Sequence, residues 1–144
     1  MRIRNQKKRL SIMKHIRQES GFTLVEISLT VTVIVLLAVI VIPNLIRTRM
    51  SANDHMAKAI LVELSTSNES YCISHSGNYA NDIAALMNSN PPLLKTAYCG
   101  KTISGYTFTC TFGSAIYYFT ATPVTSGLSG TTIYAISTGG VLTP

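Results

Sequence analysis

With 144 residues the chain has room for one small domain beside a membrane segment, and its hydrophobic share of 47% is raised by an uncharged run over residues 27–46. The formal net charge of +6 would point to nucleic acid or an anionic surface, but seven Lys and Arg against Glu19 in residues 1–21 carry all of it. From Phe22 onward five basic residues balance five acidic ones, which argues against a nucleic-acid grip built on many phosphate contacts and leaves only Lys95 and Lys101 as a local basic patch.

Residues 1–20 are polar and basic with no hydrophobic period, and read as a targeting segment rather than as part of the fold. The run 27–46 comes next: twenty residues rising ~1.5 Å each cross a ~30 Å hydrocarbon core as one helix. The seven cations before it outweigh Arg47 and Arg49 after it, so the N-terminal flank is expected to stay cytoplasmic and the rest to face an oxidising compartment. Ile40-Val41-Ile42-Pro43-Asn44-Leu45 offers no small-x-small cleavage site, so the apolar segment is expected to be retained.

At the junction stands Gly21-Phe22-Thr23-Leu24-Val25-Glu26, and the apolar run ends in Ile42-Pro43-Asn44-Leu45. This pattern resembles the processing region of type IV prepilins and of the pseudopilins of type II secretion. The resemblance implies that a dedicated prepilin peptidase and methyltransferase cuts between Gly21 and Phe22, removes residues 1–21 and methylates Phe22, and that Glu26 is the assembly acid. It implies a homo-oligomeric helical filament, inner-membrane assembly machinery as partner, and no cofactor.

The physics of Glu26 agrees. A carboxylate inside a bilayer costs roughly 2.5–3.5 kcal/mol and needs a partner. No Lys or Arg lies in the span, but cleavage would create an α-amino group at Phe22, one helical turn away, which can pair with Glu26 of its own or a neighbouring chain. The competing account is a first-turn acid facing the helix macrodipole, worth ~0.3–1 kcal/mol.

Pro43 lacks a donor and crowds the carbonyl of Val39, and Val39-Ile40-Val41-Ile42 is β-branched throughout, so a kink or loosening is expected there. Beyond it, Ile46, Met50, Ala57, Ile60, Leu61, Leu64 and Tyr71 recur at helical spacing, with Arg49, Asp54, Lys58 and Glu69 assigned to the other faces. One helix is therefore expected to reach about Tyr71, a length of ~75 Å. The organisation that results is a leader (1–21), an assembly helix (22–46), its amphipathic continuation (47–75) and a globular part (76–144).

His75-Ser76-Gly77-Asn78 should end the helix, and Asn81-Asp82 should cap a short one carrying Ile83, Leu86 and Met87, stopped by Pro91-Pro92. The alternation over 106–112 puts aromatics and Cys110 on one face of a strand and threonines on the other. Strands over 115–122, 132–137 and 141–142 with short connections complete an antiparallel meander. This gives an α+β, type IV pilin-like fold, and Ser104-Gly105-Tyr106-Thr107-Phe108 and Thr138-Gly139-Gly140-Val141 also resemble the sheet of pilins and major pseudopilins.

Among Cys72, Cys99 and Cys110, the pair Cys99–Cys110 would clip the preceding loop to the first strand and is favoured over Cys72–Cys99, with three reduced thiols as the alternative. His15, His55 and His75 lack ligand spacing and there is no C-x-x-C, so no metal is expected. No nucleophile or nucleotide motif occurs and no acid follows Asp82, so an enzyme is not expected; the missing acids also remove the loop carboxylates with which major pseudopilins hold calcium. The leading expectation is a structural pilus subunit of the inner membrane, later of an extracellular filament, an architecture that the resemblance shares among adhesion, twitching, DNA uptake and secretion. A periplasmic pseudopilus subunit and a minor pilin that binds a surface or DNA are the alternatives.

Overall fold

The computed structural model describes residues 21–144, which fall into two compact units divided between Val41 and Ile42. Helix α1 (Leu24–Ser74) runs through both. Residues 1–20, which hold the basic flank and all but the last residue of the expected leader, lie outside the described part.

In the first unit α1 starts at Thr23, whose hydroxyl accepts from the Glu26 N–H (3.1 Å) and whose carbonyl accepts from the Ile27 N–H (3.2 Å). A Thr three residues before a Glu is the sequence form of a capping box, a signal the apolar pattern obscures. The few polar side chains that follow are satisfied along the helix itself: Ser28 donates to the Leu24 carbonyl, Thr30 to that of Ile27 and Thr32 to that of Ser28. Such back-bonding leaves no hydroxyl needing water, which suits a helix surrounded by hydrocarbon.

Helix α1 continues unbroken through Pro43 and ends three residues later than the apolar period alone indicates. Its last turn closes with Gly77, whose N–H donates to the Cys72 carbonyl (3.0 Å) at φ +85°, a left-handed conformation that glycine adopts without strain. The short helix α2 (Ile83–Met87) is capped by Asp82, which accepts from the Ala85 N–H at 2.7 Å.

Five strands follow: β1 (Thr102–Ile103), β2 (Tyr106–Thr111), β3 (Tyr118–Pro123), β4 (Tyr134–Ser137) and β5 (Val141–Thr143). They form one antiparallel sheet in the order β1-β2-β3-β4-β5, the expected meander. Strand β1 adds to the expected set, because two residues show no alternation; it turns into β2 through Ser104 and Gly105, both at positive φ. Strand β3 begins at Tyr118 rather than at residue 115, since the Tyr117 N–H donates to the Thr138 hydroxyl instead of to a neighbouring strand.

The inner face of the sheet, led by Tyr106, Phe108, Phe119 and Ile136, packs on Ala57, Ile60, Leu61 and Leu64 of α1. Buried positions on α1 begin at Asp54, so Ile46 stays exposed and Met50 is half-buried. Cys99 and Cys110 are joined with Cα atoms 5.5 Å apart, tying the loop before β1 to β2, while Cys72 is free and half-buried.

Candidate assembly surface

Between Phe22 and Ile46 the one ionisable side chain is that of Glu26. Around it every large apolar residue is exposed: Phe22 by 75%, Leu24 by 83%, Leu37 by 59% and Ile40 by 73%. Helix α1 is the one described helix long and apolar enough to cross a membrane, and none of its most apolar window is buried. An all-round apolar helix of this kind requires lipid or other helices as its surroundings. Glu26 lies in the first turn, its own N–H held by Thr23, and its carboxylate has no Lys or Arg within reach along the chain between Phe22 and Ile46.

In the second unit Asp54 and Glu69, assigned above to the other helix faces, lie instead against the sheet, and Asp54 stands three residues before Ala57 and seven before Leu61, on their side of the helix. Asp54 is 9% exposed. One of its oxygens accepts from the Tyr106 hydroxyl (2.6 Å) and the Thr131 N–H (3.2 Å), the other from the Thr131 hydroxyl (2.6 Å). Burial alone would raise the pKa of Asp54, but the bonds from Thr131 and Tyr106, helped by Lys58, outweigh it and hold the carboxyl below its ordinary value. Lys58 also lies over the Tyr134 ring, 4.6 Å from its centroid. The neighbouring Asn53 donates to the Ser129 carbonyl at 2.7 Å, so the β3–β4 connection is held to α1 at two adjacent residues.

Glu69, further along the same helix, does the same for the β4–β5 turn. One oxygen accepts from the Tyr117 hydroxyl (2.8 Å) and the Gly139 N–H (2.9 Å), and the other from the Tyr79 hydroxyl (3.1 Å). Burial and the adjacent Glu69 carboxylate push the Tyr117 hydroxyl up to about 12, against the Ser65 bond that opposes them. Tyr106 is raised in the same way by burial and by Asp54. Tyr106 and Tyr117 are thus tied to α1 through their hydroxyls and Tyr134 lies under Lys58, while Tyr118 is 50% exposed. No group of His, Cys, Asp and Glu suited to a metal occurs among the described residues.

No family model matches the chain, and no solved structure matches it. Among known proteins it is similar to the type IV wide pilus major component PilA4 of Thermus thermophilus, 30% identical over 110 residues that cover 74% of this chain and 84% of that protein.

Proposed function

We propose a function from the premise that this chain belongs to the type IV pilin family: it is a structural subunit of a type IV pilus, made as a membrane-anchored precursor and polymerised through the start of α1. The observation that carries this reading is the exposed apolar surface over residues 22–46 with a single acid, Glu26, in its first turn. In the precursor lipid covers that surface; in the filament the same surfaces of neighbouring subunits cover one another.

Processing supplies the missing cation. Cleavage between Gly21 and Phe22 frees the Phe22 amine, and methylation leaves it protonated below a pKa of ~8. The amine of an incoming subunit pairs with Glu26 of one already in place, which sets the axial register and neutralises both groups away from water. Thr23 accepts from the Glu26 N–H, and among the described residues no hydrogen bond engages the Glu26 carboxylate itself. Pro43 leaves the Val39 carbonyl without its helical donor inside a helix that is otherwise continuous, and this reading makes it the point at which the helix loosens once packed into a filament.

Glu26→Ala and an uncleavable Gly21 variant should both reach the membrane in normal amounts yet yield no filaments when sheared cells are viewed by electron microscopy. Filaments of normal length and number from Glu26→Ala would contradict the pairing.

A further inference from the structure

Residues 124–133, the connection between β3 and β4, contain no charged side chain, yet expose three large apolar ones: Val124 by 60%, Leu128 by 57% and Ile133 by 54%. The Val124 N–H donates to the Gly105 carbonyl (2.9 Å), and the loop closes on itself through the Gly127 N–H and the Gly130 carbonyl (2.9 Å). Asn53 and Asp54 hold Ser129 and Thr131, so the connection lies beside the point where α1 first meets the sheet. Only seven residues, ~10 Å of helix, separate Asn53 from Ile46, where the uncharged run ends. A headgroup layer fills roughly 5–7 Å of that height. The same stretch of α1 carries the exposed Arg47 and Arg49. Arg47 stands seven residues before Asp54 and Arg49 four before Asn53, so by helical spacing both lie beneath the residues that grip the connection. The next acid along the chain, Asp54, is taken up by Tyr106 and Thr131.

We propose that Val124, Leu128 and Ile133, together with Arg47 and Arg49, dock on the membrane face from which α1 emerges at Ile46. The apolar side chains sit at the headgroup boundary and the guanidinium groups on phosphates of anionic lipid. The proposal rests on the reading of the chain as a membrane-anchored precursor. Two arguments select a lipid surface over a second copy. The patch continues a surface that itself needs lipid, the exposed apolar run that ends at Ile46. The arginines also need an anion. Lipid phosphates supply one, and accept from a guanidinium fork two oxygens at a time, whereas the same connection of another copy brings no carboxylate. Apolar side chains flanked by cations are the composition of an interfacial contact. Docking holds the β3–β4 end of the sheet against the bilayer in the precursor, and the contact is given up when the subunit is drawn into a filament.

The chain has no tryptophan, so single substitutions report depth directly. Leu128→Trp and Val124→Trp, each in the full uncleaved chain, are reconstituted into vesicles of phosphatidylcholine with or without phosphatidylglycerol. Part of the lipid is brominated, either near the headgroup or near the chain end, to quench fluorescence. Leu37→Trp, within the span, and Ile73→Trp, 86% exposed and 27 residues beyond Ile46, are the inner and outer references. In vesicles containing phosphatidylglycerol the two loop variants should emit at shorter wavelength. Lipid brominated near the headgroup should quench them several-fold more than it quenches Ile73→Trp. Adding Arg47→Gln and Arg49→Gln should bring that quenching down to its level in phosphatidylcholine alone. Loop variants quenched no more than Ile73→Trp, while chain-end bromine quenches Leu37→Trp, overturn the docking and leave the anchored precursor intact. Quenching of the loop variants that ignores both lipid charge and the arginine changes overturns the phosphate contact. A blue shift that grows with the protein-to-lipid ratio, without quenching by brominated lipid, shows the connection covered by a second copy and likewise overturns docking. Leu37→Trp left unquenched overturns the precursor reading and this proposal with it.

Discussion

Asp54 is held by three hydrogen bonds to residues 52 and 77 positions further along the chain. Asp54→Ala would leave the Thr131 N–H and hydroxyl without their partner and Tyr106 with only the Thr132 carbonyl, at 2.9 Å. A loss of about 2–3 kcal/mol is expected, read from thermal or denaturant unfolding of the full chain in detergent. The sign of its pH dependence follows from the lowered pKa. The stabilisation is fully present above the ordinary value of 3.8 and is lost as pH falls through the lower folded value. Asp54→Asn should flatten that acid limb. This role is not legible in the sequence, because a charged residue at helical spacing between apolar ones is usually solvated and nothing nearby announces distant hydroxyl partners. The same reasoning misplaces Glu69. Glycine carries a further signal that only the structure explains: a Cβ at Gly130 would collide with the Tyr106 ring, so only glycine lets the β3–β4 connection close over that tyrosine.

At the level of elements, α1 is legible almost to its end, since its apolar half is unmistakable by length and its second half repeats Ala57, Ile60, Leu61 and Leu64 on one face. Strand β2 is also legible: its burial alternates with the aromatics inward and the threonines outward. Less is visible where backbone bonds go to side chains. Strand β4 starts at Tyr134 and not at residue 132, because Thr131 and the Thr132 carbonyl are engaged by Asp54 and Tyr106. The link between Cys99 and Cys110 closes a short loop, with a sequence separation of 11, and chain entropy gives such a link about 2–3 kcal/mol. Cys110→Ser, or reductant added to the wild type, should lower the unfolding midpoint by a corresponding amount, while Cys72→Ser should not. Equal midpoints with and without reductant would show the bond to be absent or without effect.

The whole molecule divides its labour along α1. Up to about Ile46 the helix buries nothing within the chain and presents its apolar surface to whatever surrounds it; from Asp54 onward it is the support on which a five-stranded sheet is fixed by two carboxylates and an aliphatic stripe. The first role is readable from the sequence because hydropathy, charge asymmetry and the Gly21-Phe22 junction are local features. The pairing of Thr107 with Thr122 and of Thr109 with Thr120 is not, since it exists only once β2 and β3 are set in register. The account stands or falls on processing at Phe22, which creates the cation that Glu26 requires. The most direct test is mass spectrometry of the N-terminal peptide of protein sheared from intact cells, set against the membrane fraction. The account predicts an N-methylated Phe22 end as the main species in the sheared material. Filamentous protein that still carries residues 1–21 would contradict it.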